Sequence, residues 1–256
     1  MVRVRVRGEF PNQEDDVFIP LSLIEQCSSK LLELDDADGM QFVSLGVDVA
    51  RFGDDETIIY RNYHGHCKIV RNRRGQNLMA TVGDIVQEFK KIYREHPTYE
   101  SKVYVQIDDT GLGGGVTDRL KEVRKEQKLY KMQVIPINAA EKIETDTAAG
   151  KDAAERYNNL TTAMWASMRD LLDNKQIVIE DDEQTIGQLS SRKYTMASNG
   201  KLEIEPKKEM KKRGLDSPDR ADALALALYL GKIKKHTGSA PSVGAMKKLS
   251  KDNYWG

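Results

Sequence analysis

Apolar and polar positions alternate with a period of two residues in several parts of the chain, and this pattern predicts strands. It is clearest over residues 41–50, where Leu45, Val47 and Val49 fall on one side of the chain. Apolar runs at 56–62 and 67–73 flank His64-Gly65, a pair that is typical of a hairpin turn. The remaining predicted strands are shorter and cover 103–107, 132–137 and 176–179.

Helical spacing of apolar residues is strongest over residues 78–95. Helices are also predicted at 20–34, from the Gly111–Gly115 turn to about residue 128, at 152–174 and at 219–231, with a hairpin at 194–204. This order predicts an α/β fold: a mixed sheet in which a three-stranded antiparallel meander is extended by parallel strands and flanked by helices. The order is compatible with a ribonuclease H-like architecture.

Three regions are expected along the chain. Residues 1–39 contain an alternating strand, a short apolar helix and an acidic run, and are interpreted as an N-terminal extension or interdomain linker. Residues 40–233 hold the patterned elements and are expected to form the main domain. Residues 234–256 are rich in Lys, Ser, Gly and Pro and are interpreted as a flexible basic tail.

The composition is that of a soluble globular protein, with 256 residues, 39% hydrophobic and 31% charged. No apolar run approaches the roughly 20 residues that a membrane-spanning helix needs, and the N-terminus is unlike a signal peptide. Only Cys27 and Cys67 occur, which favours a reducing cytosol over a disulfide framework. We therefore expect a cytoplasmic protein that is neither secreted nor membrane-bound.

Charge balance excludes one simple route to nucleic-acid binding. Lys plus Arg and Asp plus Glu each number 40, so the chain as a whole is not basic. If the protein binds DNA, it must use local basic patches, or metal ions held by acidic residues.

Asp48 is the first acidic residue with a distinctive setting. In a strand it shares one face with Gly46 and Ala50, and these small neighbours leave room that a metal ion and a phosphate would need. The alternative interpretation, which the sequence leaves open, is an Asp near a strand end that caps the following turn.

Two further groups of acids follow predicted elements. Asp108 and Asp109 come directly after the strand at 103–107, where open α/β sheets place their sites, although an Asp before Thr-Gly is also ordinary turn chemistry. Asp219 and Asp222 lie three residues apart on one face of the last helix, for which Ser217 is a good N-cap. They could equally serve the helix dipole, an explanation that fits Asp222 less well because the helix is apolar.

Taken together, these acids predict a metal site. Carboxylates brought close to each other repel and raise their pKa values unless cations neutralise them. Ligand sets made only of oxygen select Mg²⁺ or Mn²⁺ over zinc. Two such ions about 4 Å apart can activate water and stabilise the leaving oxygen in phosphodiester hydrolysis, so metal-assisted cleavage is the chemistry that the acids favour.

The same segments resemble a known family. They are Ser44-Leu-Gly-Val-Asp-Val-Ala-Arg-Phe-Gly-Asp-Asp55, Ile107-Asp-Asp-Thr-Gly-Leu-Gly-Gly-Gly-Val-Thr-Asp-Arg-Leu120 and Ser217-Pro-Asp-Arg-Ala-Asp-Ala223. These segments are similar to the C-terminal nuclease domain of the large terminase subunit of tailed bacteriophages. The stretches at 7–20 and 200–208 also resemble that family, so the resemblance runs over most of residues 7–231.

The resemblance implies a ribonuclease H-like fold, two divalent ions (Mg²⁺ or Mn²⁺) and cleavage of double-stranded concatemeric viral DNA during packaging in the host cytoplasm. Carried over, Asp48, Asp108 and Asp222 would be the catalytic metal ligands, with Asp219 a further ligand and either Asp54 or Asp55 an outer one. Asp109 matches the family pattern less well than Asp108.

The partners that the resemblance implies are double-stranded DNA, a terminase ATPase domain, a small terminase subunit and a portal protein. The sequence holds no Gly-x-x-x-x-Gly-Lys-[Ser/Thr] motif. We therefore expect the chain to be one region of the subunit without its motor domain.

A basic cluster precedes the last acidic motif. Its members are Lys207, Lys208, Lys211, Lys212 and Arg213. Beside a metal site such a cluster suits a phosphate clamp, and Arg71, Arg73 and Arg74 could extend it; a solvated charged loop is the alternative.

Other functions remain open at this point. Another ribonuclease H-like nuclease, such as a junction resolvase or transposase, would share the acids but prefer branched or end-specific DNA. A non-catalytic module that docks on DNA or on a portal protein would keep the fold without cutting. An actin-like or sugar-kinase domain would need a Gly-Thr or Gly-Ser phosphate turn after Asp48, and residues 50–53 do not supply it.

Overall fold

The computed structural model describes residues 16–29, 32–34, 40–50, 55–139, 141–145, 148–229 and 231. The strands are β1 (Val43–Asp48), β2 (Thr57–Tyr63), β3 (His66–Arg73), β4 (Val103–Asp108), β5 (Met132–Ile137), β6 (Val178–Ile179), β7 (Tyr194–Met196) and β8 (Leu202–Ile204). The helices are α1 (Leu21–Gln26), α2 (Leu78–Glu95), α3 (Gly113–Glu126), α4 (Ala148–Arg156), α5 (Leu160–Asp173), α6 (Glu183–Ser191), α7 (Lys207–Lys212) and α8 (Asp219–Leu228).

The main sheet has six strands in the order β5-β4-β1-β2-β3-β6. Strands β1, β2 and β3 form the antiparallel meander that the sequence predicts. Strands β4 and β5 extend it on one side and β6 on the other, all in parallel pairings. A separate two-stranded sheet is formed by the hairpin of β7 and β8. The predicted mixed sheet flanked by helices is therefore confirmed.

Strand β1 divides the interior into two layers because its side chains alternate between the faces of the sheet. Val43, Leu45 and Val47 belong to a core on one face, where they pack with apolar residues of α2 and α3. On the other face, Ser44 donates a hydrogen bond to the carbonyl of Ala227 in α8 at 2.5 Å. The even-numbered positions of β1, Asp48 among them, thus face α8.

Helix α8 lies directly on the backbone of β1, and Gly46 makes this possible. A β-carbon added at Gly46 would overlap the backbone of Ala223 and Ala227. The far end of α8 is held by Gln106 of β4, whose amide donates to the carbonyl of Leu226 at 2.6 Å. The helix is buried along most of its length. Because the residues at the contact are small, Gly46 on the strand and alanines on the helix, the carboxylates in the first turn of α8 can approach the end of β1.

The second core, which includes α8 and α5, also takes in residues near the N-terminus. Phe18, Ile19, Ile24 and Cys27 are buried in it. Phe18 meets Trp165 of α5 edge to face, with ring centroids 6.5 Å apart. The described residues of the predicted N-terminal extension therefore pack into the same core as the sheet. The predicted boundaries at residues 39 and 233 stay predictions.

The helix predicted over 152–174 is wrong, because the structure has two helices there. Helix α4 ends at Arg156 and α5 begins at Leu160. Asn159 caps α5, since its side chain accepts a hydrogen bond from the backbone N–H of Thr162 at 2.8 Å. An Asn side chain competes well for backbone N–H groups at a helix start, so local capping interrupts the apolar spacing.

Two other differences concern short elements. Helices α6 and α7 were not predicted; they have nine and six residues, which is short for a periodicity signal. Helix α1 covers only six residues of the predicted 20–34, and α8 ends at Leu228, three residues earlier than predicted. No helix in the described part of the chain is long and apolar enough to cross a membrane.

Candidate active site

Asp48 and Asp108 end two neighbouring parallel strands. The register pairs Val47 of β1 with Ile107 of β4, so each acid is the next residue of its strand. Residues in register on strands about 4.8 Å apart point to the same face of a sheet, so the two carboxylates leave it side by side. Asp108 Oδ1 accepts a hydrogen bond from the backbone N–H of Thr110 at 3.0 Å, which orients that carboxylate.

A glycine also permits the turn that follows Asp108. A β-carbon added at Gly113 would overlap the carbonyl group of Asp108. Helix α3 can therefore begin directly against the end of β4, and the glycines at 111–115 act as a tight strand-to-helix turn. This is the interpretation that the sequence favours for them.

Helix α8 brings Asp219 and Asp222 to the same place from its first turn. The room expected beside Asp48 is not open, because α8 fills the space above Gly46. The predicted cap is also wrong: Pro218 holds the N-cap position without a side-chain cap hydrogen bond, and the Ser217 hydroxyl donates to Asp219 Oδ1 instead. A hydrogen bond to a carboxylate is stronger than one between neutral groups, so the Ser217 hydroxyl donates to Asp219 and does not accept from a backbone N–H of the helix.

Lys207, the first residue of α7, occupies the centre of the acidic cluster. Its Nζ lies 3.2 Å from Asp48 Oδ2, 3.4 Å from Asp219 Oδ1 and 3.0 Å from Asp222 Oδ2. Its side chain is 39% exposed, against 10% for Asp48. The ammonium group is thus the cation around which three predicted metal-ligand side chains converge.

The charges in this cluster shift each other's pKa values. Burial raises the pKa of Asp48 to about 7; Lys207 opposes the rise, and the charges of Asp222, Asp219 and Asp108 add to it. Burial would also raise the pKa of Asp222, but Lys207, Arg192 and a hydrogen bond from Trp165 hold it below its usual value.

Burial acts on Lys207 in the opposite direction, since it penalises the charged ammonium. The charges of Asp48, Asp222 and Asp219 outweigh it and raise the pKa of Lys207 well above its usual range. The ammonium therefore stays charged. Asp48 is the acid for which the positive charge nearby is insufficient.

The residues present fit a divalent cation. Three carboxylate oxygens surround one cationic atom, and hard divalent ions favour such all-oxygen sets. With the ammonium between them, no group of three or more His, Cys, Asp or Glu in the described residues is arranged to hold a metal by itself. A metal would therefore take the place of the Lys207 ammonium or push it aside.

The remaining predicted acids lie outside this centre or outside the described residues. Asp55 accepts a hydrogen bond from Lys211 at 3.1 Å and its side chain is 41% exposed. Asp54 lies outside the described residues. The Asp109 carboxylate lies beside Gly114 at the start of α3, where an acid complements the helix dipole.

The basic cluster forms a short helix and is largely paired with acids. Besides Lys207, three of its members have acidic partners: Lys211 with Asp55, Lys212 with Glu209, and Arg213 with Glu205. Lys208 is exposed, and Lys207 points into the acidic centre. Of the predicted extension, Arg73 is exposed, Arg71 contacts the buried Glu88 at 2.5 Å and Arg74 contacts Glu56 at 2.9 Å.

Two residues of the centre were missed at the level of sequence. Trp165 of α5 and Arg192, which precedes β7, each donate a hydrogen bond to Asp222 Oδ1 at 2.8 Å. Trp165 is fully buried. No local pattern marks either residue, because each reaches Asp222 only through the packing of distant segments.

Among the comparisons with known proteins, the one with solved structures identifies the fold. No protein-family model matches the sequence, and no curated protein is similar enough to match. Among solved structures, the nuclease domain of the large terminase subunit gp2 of bacterial virus Sf6 matches with a TM-score of 0.63 at 18% identity, covering 83% of this chain and 98% of that one.

The fold is that of a terminase nuclease domain. A lysine-to-alanine variant of the Sf6 domain with calcium matches with a TM-score of 0.65 at 16% identity, covering 83% of this chain and 99% of that one. The variant with manganese and β-thujaplicinol matches with a TM-score of 0.62 at 19% identity, covering 83% and 98%. The expected ribonuclease H-like fold is confirmed.

Proposed function

We propose that this chain is a metal-dependent endonuclease that cuts double-stranded concatemeric viral DNA during genome packaging, as the nuclease region of a phage terminase large subunit. The observation that carries the proposal is the convergence of Asp48, Asp219 and Asp222 on one cationic atom, in the fold of a terminase nuclease domain. Two layers of packing hold these acids at one edge of the sheet, which suits a catalytic centre better than a solvated surface.

In this proposal, Asp48, Asp108 and Asp222 hold Mg²⁺ or Mn²⁺, with Asp219 a further ligand. When bound, two such ions supply a water of lowered pKa and stabilise the leaving oxygen. The nuclease domain of Sf6 has been solved with manganese, and the oxygen donors of this chain favour the same class of ion.

The chain's own residues do the positioning. The ends of β1 and β4 place Asp48 and Asp108 next to each other in the register, and Asp222 of α8 meets Asp48 at the Lys207 ammonium. The ammonium of Lys207 contacts Asp48 and Asp222 and offsets part of their negative charge. With a divalent cation held by these acids, Lys207 would be available to contact a phosphate of the DNA backbone.

Gripping of DNA is assigned to α7. Lys208 points to solvent, and Lys211, Lys212 and Arg213 would exchange their acidic partners for phosphates. The family resemblance adds an ATPase domain, a small terminase subunit and a portal protein as partners, in the cytoplasm of the infected host. Asp54 or Asp55 remains the proposed outer ligand.

The test is cleavage of supercoiled plasmid by the purified chain with Mn²⁺, Mg²⁺ or EDTA. We expect nicking and linear product with either metal and none in EDTA. Asp222→Ala should lose cleavage by at least about 100-fold, since removing a metal ligand disables the centre. Asp118→Ala is the matched control, because Asp118 of α3 is 81% exposed and pairs only with Lys121 in the described structure.

A second candidate function rests on Lys207. Because its ammonium contacts Asp48 and Asp222 and offsets part of their charge, the same centre could hold together in a docking module that grips DNA without cutting it. A folded chain that binds DNA and fails to cut with either metal would favour this alternative. Preference for four-way junctions over linear duplex would instead favour a junction resolvase.

A further inference from the structure

Trp165 and Arg192 treat the two oxygens of Asp222 differently. Both donate to Oδ1 at 2.8 Å, whereas Oδ2 faces the Lys207 ammonium at 3.0 Å. One oxygen is thus held by the protein interior and the other is turned toward the cation position. We propose that Trp165 and Arg192 are positioning residues that hold Asp222 by Oδ1 and so present only Oδ2 to a divalent cation; this rests on the nuclease function proposed above.

The two donors are themselves held rigidly. Arg192 is 2% exposed and Trp165 is fully buried. The guanidinium lies over the indole ring at 4.6 Å from its centroid, and its Nε donates to the carbonyl of Glu205 at 2.9 Å. Neither side chain can move without breaking these contacts, so the orientation of the carboxylate follows from packing.

The arrangement has a chemical consequence. A carboxylate with both oxygens available can bind a metal through one oxygen or both, and it can rotate between the two. When Oδ1 already accepts two hydrogen bonds, binding of a metal ion through Oδ2 alone is favoured. The packing of α5 and α8 would then determine where the ion can bind. Partners of metal ligands typically change metal affinity or activity by 10- to 100-fold when altered.

A purely structural role is the competing explanation, because a buried arginine needs an acidic partner wherever it lies. Arg61 of β2 provides the comparison within this chain. It is 4% exposed and contacts Glu95 at 2.7 Å. That pair involves no acid of the proposed metal centre, so Arg61→Lys is the matched control for Arg192→Lys.

The experiment measures Mn²⁺ binding by titration calorimetry and plasmid nicking as a function of Mn²⁺ concentration, on the full chain. We expect Trp165→Phe and Arg192→Lys to weaken Mn²⁺ binding, or to lower the nicking rate at saturating Mn²⁺, by about 10- to 100-fold. DNA affinity in EDTA should be unchanged. Arg61→Lys should lower thermal stability and leave the Mn²⁺ titration as in the wild type.

A measurement on the wild-type chain guards against variants that do not fold. Trp165 is one of two tryptophans, and its indole N–H signal in an NMR spectrum reports on Asp222 Oδ1. We expect that signal to shift on saturation with Mg²⁺, because the accepting carboxylate becomes a metal ligand. No shift, or folded variants that both match the wild type in the Mn²⁺ titration and in the nicking rate, would overturn the positioning role.

The outcomes separate the two proposals. A wild-type chain that neither binds Mn²⁺ nor nicks DNA overturns the nuclease function, and the positioning role with it. A wild-type chain that does both, beside variants with the same metal dependence, overturns the positioning role alone.

Discussion

At the scale of single residues, the candidate centre carries more negative charge than its own cations neutralise. Its acids are Asp48, Asp108, Asp219 and Asp222, and its cations are Lys207 and Arg192. The excess falls on Asp48, whose pKa burial raises to about 7 from an ordinary value of 3.8. In the proposed nuclease, such an arrangement would trade stability of the metal-free protein for affinity toward a divalent cation.

Asp48→Asn should therefore stabilise the protein in the absence of metal. At pH 8 in EDTA we expect a rise in Tm of several degrees, since each kcal/mol corresponds to about 2–4 °C for a domain of this size. The variant should also lose cleavage and the increase in Tm that Mn²⁺ gives the wild type. Thermal denaturation with EDTA and with Mn²⁺ measures both effects.

The raised pKa of Asp48 also predicts how the stability of the protein changes with pH. Between about pH 4 and 7 the unfolded chain releases the proton of Asp48 while the folded chain keeps it, so wild-type stability falls as pH rises through this window. The advantage of Asp48→Asn should be absent near pH 4, grow up to about pH 7 and stay level above. Asp118→Asn is the control, and an equal advantage at pH 4 and pH 8 would contradict the charge argument.

At the scale of elements, the close approach of α8 to β1 decides where Asp222 lies. A strand and a helix whose backbones touch need a residue without a side chain at the contact, and Gly46 is that residue. The sequence marks Gly46 only as small, so its partner became clear only when the helix was seen on the sheet.

Gly46→Ala should destabilise the protein by about 3 kcal/mol, because overpacking of this kind costs roughly 1–3 kcal/mol and here the obstacle is backbone. It should also lower cleavage, since α8 would have to move away from Asp48. Gly83→Ala in α2 is the matched control, because no described atom outside the backbone of its own helix lies within 4 Å of an added β-carbon there. Replacement of a helical glycine by alanine should stabilise the protein by about 1 kcal/mol. Urea denaturation of both variants compares the two effects; equal stabilities would disprove the contact.

At the scale of the whole molecule, the net charge is zero, so the electrostatic field of the protein as a whole does not attract DNA. DNA binding would therefore depend on local clusters of basic residues. Within the basic cluster, four of the five members are already paired with acids of the protein. Exchange of these partners for phosphates releases fewer counterions per residue than binding by an unpaired lysine, so the cluster should contribute less than its charge suggests.

Lys208→Gln should therefore flatten the salt dependence of DNA binding by nearly one unit of slope, the value for one lost phosphate contact. Lys212→Gln should change it less, since Lys212 contacts Glu209 at 2.7 Å. Lys121→Gln on α3, which pairs with Asp118, is the control for an exposed lysine away from the cluster. Fluorescence anisotropy with a DNA duplex measures the dissociation constant between roughly 50 and 200 mM salt, and so gives the slope for each variant. Identical slopes for all three variants would make α7 an ordinary surface helix.

Periodicity and turn chemistry in the sequence were enough to predict the sheet, its meander and the positions of the acids at the ends of strands and helices. These depend on neighbours a few residues apart, such as Val43, Leu45 and Val47 along one face of β1. The interruption of the predicted helix at Asn159 and the two short helices were not predicted, because a single capping residue or a nine-residue segment carries little periodicity. Tertiary structure alone decided that Lys207 lies among the acids and that Trp165 and Arg192 hold Asp222 by one oxygen. These contacts join residues 12 to 159 positions apart, and their strength comes from burial, which the local sequence does not encode.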